Sequence, residues 1–331
     1  MSDYAKYKDA YANPKGAGDA RPTAQDVIDQ EDLRGKWTDK IVMITGASAG
    51  IGVETARALA TTGARIYLPV RSPGKTQEAL SDLIETGQIT LLELDLNSFD
   101  SVRKAAGTFL SKEKVLHVLI ENAGIMAPPE GRTKDGFETQ FGVNHLSHFL
   151  LLNLLKDALI AGSTPEFNSR VVILSSAAHR TSSVRFDNYN FEGEYDPWLA
   201  YGQSKTANLW TANHFDRLYG FKGVHAYSLN PSVVRTSLGR FMPSEVIKSA
   251  FESEATIKEE RSIPQGAAVS VYAATAKELE GRGGLYLENL APSEPTELDT
   301  VAEKPGYAPW AFDEENEKKL WDLSLRLVGL A

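Results

Sequence analysis

The sequence predicts an α/β fold, with a doubly wound parallel sheet of about seven strands in a single domain. Short apolar runs of strand length alternate with helical stretches from about residue 39 to residue 290. A glycine-rich turn joins the first run to the first helix, and polar residues follow several later runs. This combination is typical of proteins that bind a ligand at the carboxyl edge of a parallel sheet.

The predicted domain, 39–290, lies between an N-terminal extension, 1–38, and a C-terminal extension, 291–331. Strands are predicted at 41–44, 64–70, 90–94, 115–120, 170–174, 224–229 and 284–288. Helices are predicted at 24–32, 74–86, 98–112, 136–159, 201–219 and 265–277, with another that ends near Gly63. Two inserts, 177–200 and 237–262, are expected to form the mouth of a site, although core packing explains the aromatic residues of the first nearly as well.

Composition excludes several classes of function. The 331-residue chain has a net charge of −9, which argues against a nucleic-acid or anionic membrane surface as partner. Because it has no cysteine, it forms no disulfide, thiolate nucleophile or zinc–thiolate site. The polar N-terminus lacks a secretory signal, and no apolar run reaches the roughly 20 residues of a membrane span. We therefore expect a cytoplasmic protein.

The glycine turn follows the first predicted strand and has the spacing G-x-x-x-G-x-G. Gly46 permits a tight turn, Gly50 lets the backbone approach a pyrophosphate, and Gly52 lets helix and strand pack closely. The start of the helix offers free N–H groups to the phosphates. Further predicted contacts in this turn are Ser48, Ala49 and Ile51. The alternative is a turn that binds nothing, but the flanking strand and helix favour a dinucleotide.

The end of the second strand indicates which dinucleotide binds. An acidic residue there would bind the ribose hydroxyls of NAD(H), but this chain has Arg71 and no acid. A guanidinium can pair with a 2′-phosphate through charge-assisted hydrogen bonds. Arg71 therefore favours NADP(H), and the alternative is that it is a solvated surface charge.

Polar and small residues follow the third and fourth strands. Asp95 and Leu96 come after one strand, and Asn122, Ala123 and Gly124 come after the next. Their position at the carboxyl edge would let them flank an adenine and a ribose. Such residues also serve as ordinary loop and capping residues, but their position favours the ligand.

Tyr201 and Lys205 lie one helical turn apart if they share a helix. An ammonium about 4 Å from a phenol would favour the phenolate by roughly 4 kcal/mol before desolvation. Tyr201 would then be suited to proton exchange with an alcohol or carbonyl. Tyr4 and Lys8 have the same spacing, so spacing alone is weak evidence; position after a strand that ends at Ser176 distinguishes Tyr201.

Asn144 lies within a predicted helix, where asparagine is unfavourable, so a buried Asn144 needs hydrogen-bond partners or a function. His145 and His148 follow it and are three residues apart. No carboxylate or third histidine is close in sequence, so no metal site is predicted and these rings are expected in the core or at the surface.

Together these motifs resemble the short-chain dehydrogenase/reductase family, whose fold is of the Rossmann type, over residues 38–290. The motifs are the turn 45–52, Asp95, 122–124, Asn144, Ser176, Tyr201 with Lys205, and 231–236. Residues 135–149, 201–208 and 319–323 are similar to the branch that contains retinol dehydrogenases and the WW-domain oxidoreductase.

The resemblance implies an enzyme that interconverts a carbonyl and an alcohol on a small molecule with NADP(H). Tyr201 would be the general acid/base, and Lys205 would lower its pKa and bind the nicotinamide ribose. Ser176 would hydrogen-bond the substrate oxygen, and Asn144 would hold a water through its backbone. Contacts with the nicotinamide end are implied for Pro231, Val234 and Thr236. The aromatic insert suggests a bulky apolar or aromatic substrate, and the breadth of the family suggests secondary metabolism.

Two residues depart from the family's pattern. Glu121 replaces an asparagine, and Ser232 replaces a glycine and would be strained if that glycine supplies a positive φ. Relatives commonly pair the Asn144 and Tyr201 helices in a homodimer, which the extensions here could block. Two other functions remain open: a non-redox dehydratase or isomerase, and a nucleotide-binding sensor without turnover.

Overall fold

The computed structural model describes residue 4 and residues 6–242, 252–298 and 304–331. Its sheet has the strand order β3-β2-β1-β4-β5-β6-β7-β8, and all pairs are parallel except β7 with β8. The strands are β1 (Ile41–Ile44), β2 (Arg65–Val70), β3 (Ile89–Glu93), β4 (Val118–Glu121), β5 (Ser169–Leu174), β6 (Val224–Leu229), β7 (Leu285–Glu288) and β8 (Ala291–Pro292). The predicted fold class and its seven parallel strands are confirmed.

The helices lie on both faces of this sheet. They are α1 (Ala24–Gln30), α2 (Ile51–Ala60), α3 (Pro73–Ala79), α4 (Ser81–Glu85), α5 (Phe99–Lys112), α6 (Ser147–Gly162), α7 (Pro197–Tyr219), α8 (Glu254–Glu259), α9 (Ile263–Thr275) and α10 (Glu314–Leu327). A π-helical turn, Phe141–Leu146, leads directly into α6. No helix in these parts of the chain combines the length and apolar character needed to cross a membrane.

The strands are apolar throughout because both faces of the sheet are covered. In β1, Ile41 and Met43 belong to a core cluster shared with α5, α6, α7 and α10. Val42 and Ile44 belong to the opposite cluster, shared with α1, α2 and α9. Alternate side chains of a strand point to opposite faces, so one short run fills both layers.

The carboxyl edge of the sheet has a crevice between β1 and β4. Strands β2 and β3 lie on one side of this pair and β5, β6 and β7 on the other, so the chain changes direction here. In open α/β sheets this switch point is where ligands bind. The loops after β1 and β4 meet closely, since a Cβ on Gly46 would lie 2.6 Å from Ala123 Cα.

Two predicted helices have different bounds. The helix predicted at 74–86 is two short helices, because Leu80 leaves helical geometry with φ −130° and ψ 25°. The helix predicted at 136–159 starts at Phe141. Gly136 has φ +88°, and the buried Glu138 carboxylate accepts the N–H groups of Gln140 and Phe141 at 2.8 and 2.7 Å. In the insert 237–262, residues 243–251 lie outside the described residues, and α8 lies beyond them.

Both extensions pack on the domain. In the first, α1 buries Val27 and Ile28 against α2 and α9. In the second, Trp321 of α10 lies against Phe149 of α6 and Phe215 of α7, with ring centres 4.8 and 6.3 Å apart. The chain therefore covers part of α6 and α7 with its own helix. A homodimer formed through that face would require α10 to move.

Candidate active site

Helix α7 carries Tyr201 and Lys205. It begins after Asp196, whose carboxylate accepts two N–H groups of the first turn at 2.8 Å each. Lys205 Nζ lies 5.6 Å from the centre of the Tyr201 ring, and each residue is only 4% exposed. The two side chains therefore share a face of one helix, as their spacing predicts.

Burial dominates the ionisation of this pair. It raises the pKa of Tyr201 to about 12, although the neighbouring Ser176 side chain opposes the shift. Burial also lowers the pKa of Lys205 to about 8, and its Nζ donates to the Leu174 carbonyl at 3.0 Å. Burial is thus the largest influence on the phenol, and the lowering of the Tyr201 pKa by Lys205 stays a prediction.

Ser176 lies where β5 ends, beside Tyr201. The preceding residue, Ser175, donates its hydroxyl to the Lys205 carbonyl at 2.8 Å and so ties the end of β5 to α7. Ser176 Oγ accepts the Ala178 N–H at 3.2 Å, and the Ser176 side chain is near enough to the Tyr201 phenol to influence its pKa. The two hydroxyls predicted to hold a substrate oxygen are thus brought together.

His179 positions the Ser176 loop, and the sequence did not predict this role. Its Nδ1 lies 2.7 Å from the Ser176 carbonyl, and its Nε2 accepts the Ala308 N–H at 3.0 Å. Burial lowers the pKa of His179 to about 4, so the ring is neutral at pH 7 and its proton is on Nδ1. The loop is thereby fixed to the C-terminal extension.

Asn144 lies in the π-helical turn, a geometry often found at functional sites. Its side chain accepts the Ile125 N–H and donates to the Ile125 carbonyl, both at 2.9 Å. It also donates to Ser204 Oγ at 3.0 Å, and that hydroxyl donates to the Tyr201 carbonyl at 2.8 Å. The Asn144 carbonyl also accepts His148 Nδ1 at 3.0 Å, and the water at this carbonyl stays a prediction.

His148 connects the Asn144 turn to the glycine turn. Its Nε2 lies 2.9 Å from Thr45 Oγ1, which accepts the Ala123 N–H at 3.0 Å. Burial lowers the pKa of His148 to about 4, so the ring is neutral, with Nδ1 donating to Asn144 and Nε2 accepting from Thr45. His145 points elsewhere, toward Ser324 at 2.9 Å. Both histidines are thus hydrogen-bonded core residues.

The glycine turn has the geometry a pyrophosphate would need. Gly46 and Gly50 have φ of +71° and +61°, and a Cβ on Gly52 would lie 2.5 Å from the Gly46 carbonyl oxygen. No side chain among the described residues caps α2, whose N-cap residue is Gly50. The first N–H groups of α2 are therefore available to an anion, and the glycines let that anion come close to the backbone.

The residues predicted to flank the adenosine also make contacts within the protein itself. Asn122 donates its amide to the carbonyls of Thr45 and Gly46 at 2.9 and 3.2 Å, so it supports the turn. Burial opposes ionisation of Asp95. However, its carboxylate accepts the Asn97 N–H and Lys134 Nζ at 3.1 Å each, and the net effect holds its pKa below the usual value. Arg71 is exposed at the end of β2, and the buried Leu96 binds Ser147 through its carbonyl.

The loop after β6 lies across the glycine turn. A Cβ on Gly50 would lie 3.2 Å from Thr236 Cγ2, and one on Gly266 would lie 2.5 Å from Val234 Cγ2. Thr236 is therefore next to the turn that would hold the cofactor phosphates. Val234 meets Gly266 of α9, where the same Cβ would lie 3.4 Å from Ile51 Cδ1 at the start of α2.

Comparison with known proteins identifies the family. The family model described as short chain dehydrogenase matches residues 40–245, which is more than half of the chain and includes every motif above up to the loop after β6. This chain belongs to the short-chain dehydrogenase/reductase family.

Three proteins illustrate its place in that family. Short-chain dehydrogenase/reductase prx1 of Penicillium roqueforti is 51% identical, and the alignment covers 100% of this chain and 97% of that protein. Retinol dehydrogenase 12 of Homo sapiens is 38% identical over 88% of this chain and 87% of that protein. A crystal structure of an uncharacterized protein from Mycobacterium paratuberculosis is 32% identical, with a TM-score of 0.68, and covers 90% of this chain and 96% of its own. The predicted similarity to retinol dehydrogenases is confirmed.

Both departures from the short-chain dehydrogenase/reductase pattern have structural consequences. Ser232 has φ +68°, a conformation that costs roughly 1–2 kcal/mol for a residue with a Cβ; its N–H binds Asn230 Oδ1 at 3.1 Å. Glu121 is 1% exposed at the end of β4, and its Oε1 has no hydrogen-bond partner among the described residues. Burial raises the pKa of Glu121 to about 8, so this carboxyl is mostly protonated at pH 7.

Replacing Glu121 by Gln should remove a pH dependence of stability. The folded-state pKa is raised from 4.5 to about 8, so the unfolded chain releases its proton first and stability falls as pH rises between these values. Chemical unfolding at several pH values should show Glu121→Gln gaining over wild type by up to about 1.4 kcal/mol per pH unit in this window. Glu78→Gln, on the exposed side of α3, should follow wild type. A constant difference between Glu121→Gln and wild type would refute the assignment.

Proposed function

We propose that this chain is an NADP(H)-dependent oxidoreductase that interconverts an aldehyde or ketone and an alcohol on a bulky apolar or aromatic small molecule. One observation carries the proposal. The Ser176 side chain lies beside the Tyr201 phenol at the carboxyl edge of the sheet, close enough to favour its ionised form. Lys205 Nζ is 5.6 Å from the centre of the Tyr201 ring and meets Asn144 beside Gly124, where a Cβ would lie 3.7 Å from Lys205 Nζ and 3.4 Å from Asn144 Oδ1.

The mechanism assigns proton transfer and charge stabilisation to the protein. When bound, the nicotinamide supplies or accepts the hydride. Because burial raises the pKa of Tyr201 to about 12, the phenol keeps its proton at neutral pH and can donate it to a forming alkoxide. The Ser176 hydroxyl would stabilise the same oxygen, in a site with little access to water. Lys205 would then return a proton to the Tyr201 phenolate, and its own proton would be replaced from the side of the site where Asn144 lies.

Arg71 supports the choice of NADP(H). It is exposed at the carboxyl end of β2, and no ion pair engages it in the described parts of the chain. The α2 N-terminus would hold the pyrophosphate, which leaves the end of β2 to the adenosine ribose. A cation at that position binds a 2′-phosphate through charge-assisted hydrogen bonds, which are stronger than those it could donate to uncharged ribose hydroxyls.

Of the aromatic residues in the insert, Trp198 gives the strongest support for a bulky apolar substrate. Phe186 stacks on Trp210 with ring centres 6.2 Å apart, and Phe191 is completely buried, so these belong to the core. Trp198 is 40% exposed and meets the Tyr201 ring edge-on at 6.5 Å. An apolar or aromatic carbonyl compound would bury this exposed surface.

The function is tested by incubating the protein with NADPH or NADH and a panel of aromatic and long-chain aldehydes and ketones. Loss of NADPH absorbance with formation of the alcohol is expected, at a higher kcat/KM than with NADH. Product formation without cofactor consumption would indicate a dehydratase or isomerase. Tight NADPH binding without turnover of any compound would indicate a nucleotide sensor.

A further inference from the structure

A short turn continues the loop that crosses the glycine turn. Thr236, which lies over Gly50, accepts the Leu238 N–H through Oγ1 at 3.2 Å. This cap starts a 3-10 turn, Ser237–Phe241. Arg240 lies on that turn, four residues beyond the contact with Gly50. Arg240 therefore belongs to the loop beside the predicted cofactor site, whereas Arg71 follows a strand of the sheet.

Arg240 is held in place without a counter-ion. Its guanidinium lies over the Phe241 ring, with Cζ 4.6 Å from the ring centre, and Nη1 donates to the Ser237 carbonyl at 3.0 Å. No carboxylate pairs with it in the described parts of the chain. The neighbouring Arg235 differs, because its Nε binds Glu260 Oε1 at 2.8 Å. A cation that is oriented but unpaired can take an external anion.

Arg71 is close enough to affect Arg240. Partial burial lowers the pKa of Arg240, and the positive charge of Arg71 lowers it further. Asp95, the acid near Arg71, already binds Lys134. Arg71, at the end of β2, and Arg240, on the turn beyond Thr236, are thus near enough to repel each other, and an anion bound by both would remove that repulsion.

We propose that Arg240 and Arg71 together bind the 2′-phosphate of NADP(H), Arg71 from the sheet edge and Arg240 from the loop that crosses the glycine turn. This inference rests on the proposed function and extends it to a second residue. Both guanidinium groups offer planar forks of N–H donors that match phosphate oxygens, and a dianion between them neutralises both charges. The pyrophosphate is served separately by the α2 N-terminus.

The test uses two probes that lack nicotinamide, adenosine 2′,5′-bisphosphate and adenosine 5′-monophosphate. Their Kd values are measured by calorimetry for wild type, Arg71→Gln, Arg240→Gln, Arg240→Lys and Arg235→Gln. Arg240→Gln should weaken the bisphosphate about 10- to 100-fold, the loss expected for charged hydrogen bonds, and leave the monophosphate nearly unchanged. Arg240→Lys should retain part of the affinity, and Arg235→Gln should behave as wild type.

Other outcomes overturn the inference in distinguishable ways. Equal weakening of both probes by Arg240→Gln would mean that Arg240 serves the pyrophosphate or the fold of the loop. An equal effect of Arg235→Gln would mean that only long-range charge matters. If Arg71→Gln weakens the bisphosphate and Arg240→Gln does not, the inference fails and the NADP(H) assignment stands. If wild type does not discriminate between the probes, both fail.

Discussion

Tyr201→Phe is expected to lose nearly all turnover and to keep cofactor binding close to that of wild type. The substitution removes the phenol oxygen and its proton but little volume from a ring that is 4% exposed. General acid catalysis alone contributes about 10²- to 10⁴-fold, so kcat should fall by at least that range. Steady-state kinetics with the best aldehyde or ketone of the panel, together with NADPH titration of each protein, measure the two quantities separately.

Tyr189→Phe is the matched control for this variant. Tyr189 lies in the insert 177–200, where its ring packs against Phe141 with centres 5.8 Å apart, and it is not part of the Ser176, Tyr201 and Lys205 group. Its kcat should remain close to wild type. Turnover by Tyr201→Phe at the wild-type rate would show that another group transfers the proton.

Arg71→Asp should reverse the cofactor preference. The variant replaces attraction by repulsion at the 2′-phosphate and supplies a carboxylate that can accept hydrogen bonds from ribose hydroxyls. We expect NADPH affinity to fall by about 100-fold or more, given the strength of charge-assisted hydrogen bonds, and NADH affinity to change little or improve. Fluorescence titration with both cofactors gives the two Kd values.

Lys114→Asp provides the control for net charge. It changes the protein charge equally at an exposed position just before β4, at the amino edge of the sheet. It should leave both Kd values near those of wild type. If Arg71→Asp weakens NADPH and NADH equally, Arg71 does not contact the 2′-phosphate.

The strands could be predicted because each is an apolar run buried on both faces. Core-facing runs such as Ile41–Ile44 and Val224–Leu229 have the predicted bounds. The helix boundaries failed where tertiary contacts set them. Nothing in the local sequence marks the break at Leu80, and Glu138 caps the turn before α6 through a buried carboxylate. The two-residue β8 is too short to have a periodicity.

The candidate site could be predicted as a set of motifs but not as a network of contacts. The order of motifs indicates that Ser176, Tyr201, Lys205 and Asn144 belong together. The bond between His148 and Thr45 joins residues 103 apart in sequence, so no local pattern predicts it. The pKa of Tyr201 depends on burial as well as on the neighbouring charge of Lys205, and the sequence shows only the charge.

The transfer of a labelled hydride tests the central claim most directly. The protein is incubated with NADPH deuterated at the transferable position of C4 and with an aldehyde or ketone that it turns over, and the product is analysed by mass spectrometry and NMR. The account predicts one deuterium at the carbinol carbon and one NADPH oxidised for each alcohol formed. Product that carries no deuterium, formed without NADPH oxidation, would contradict it.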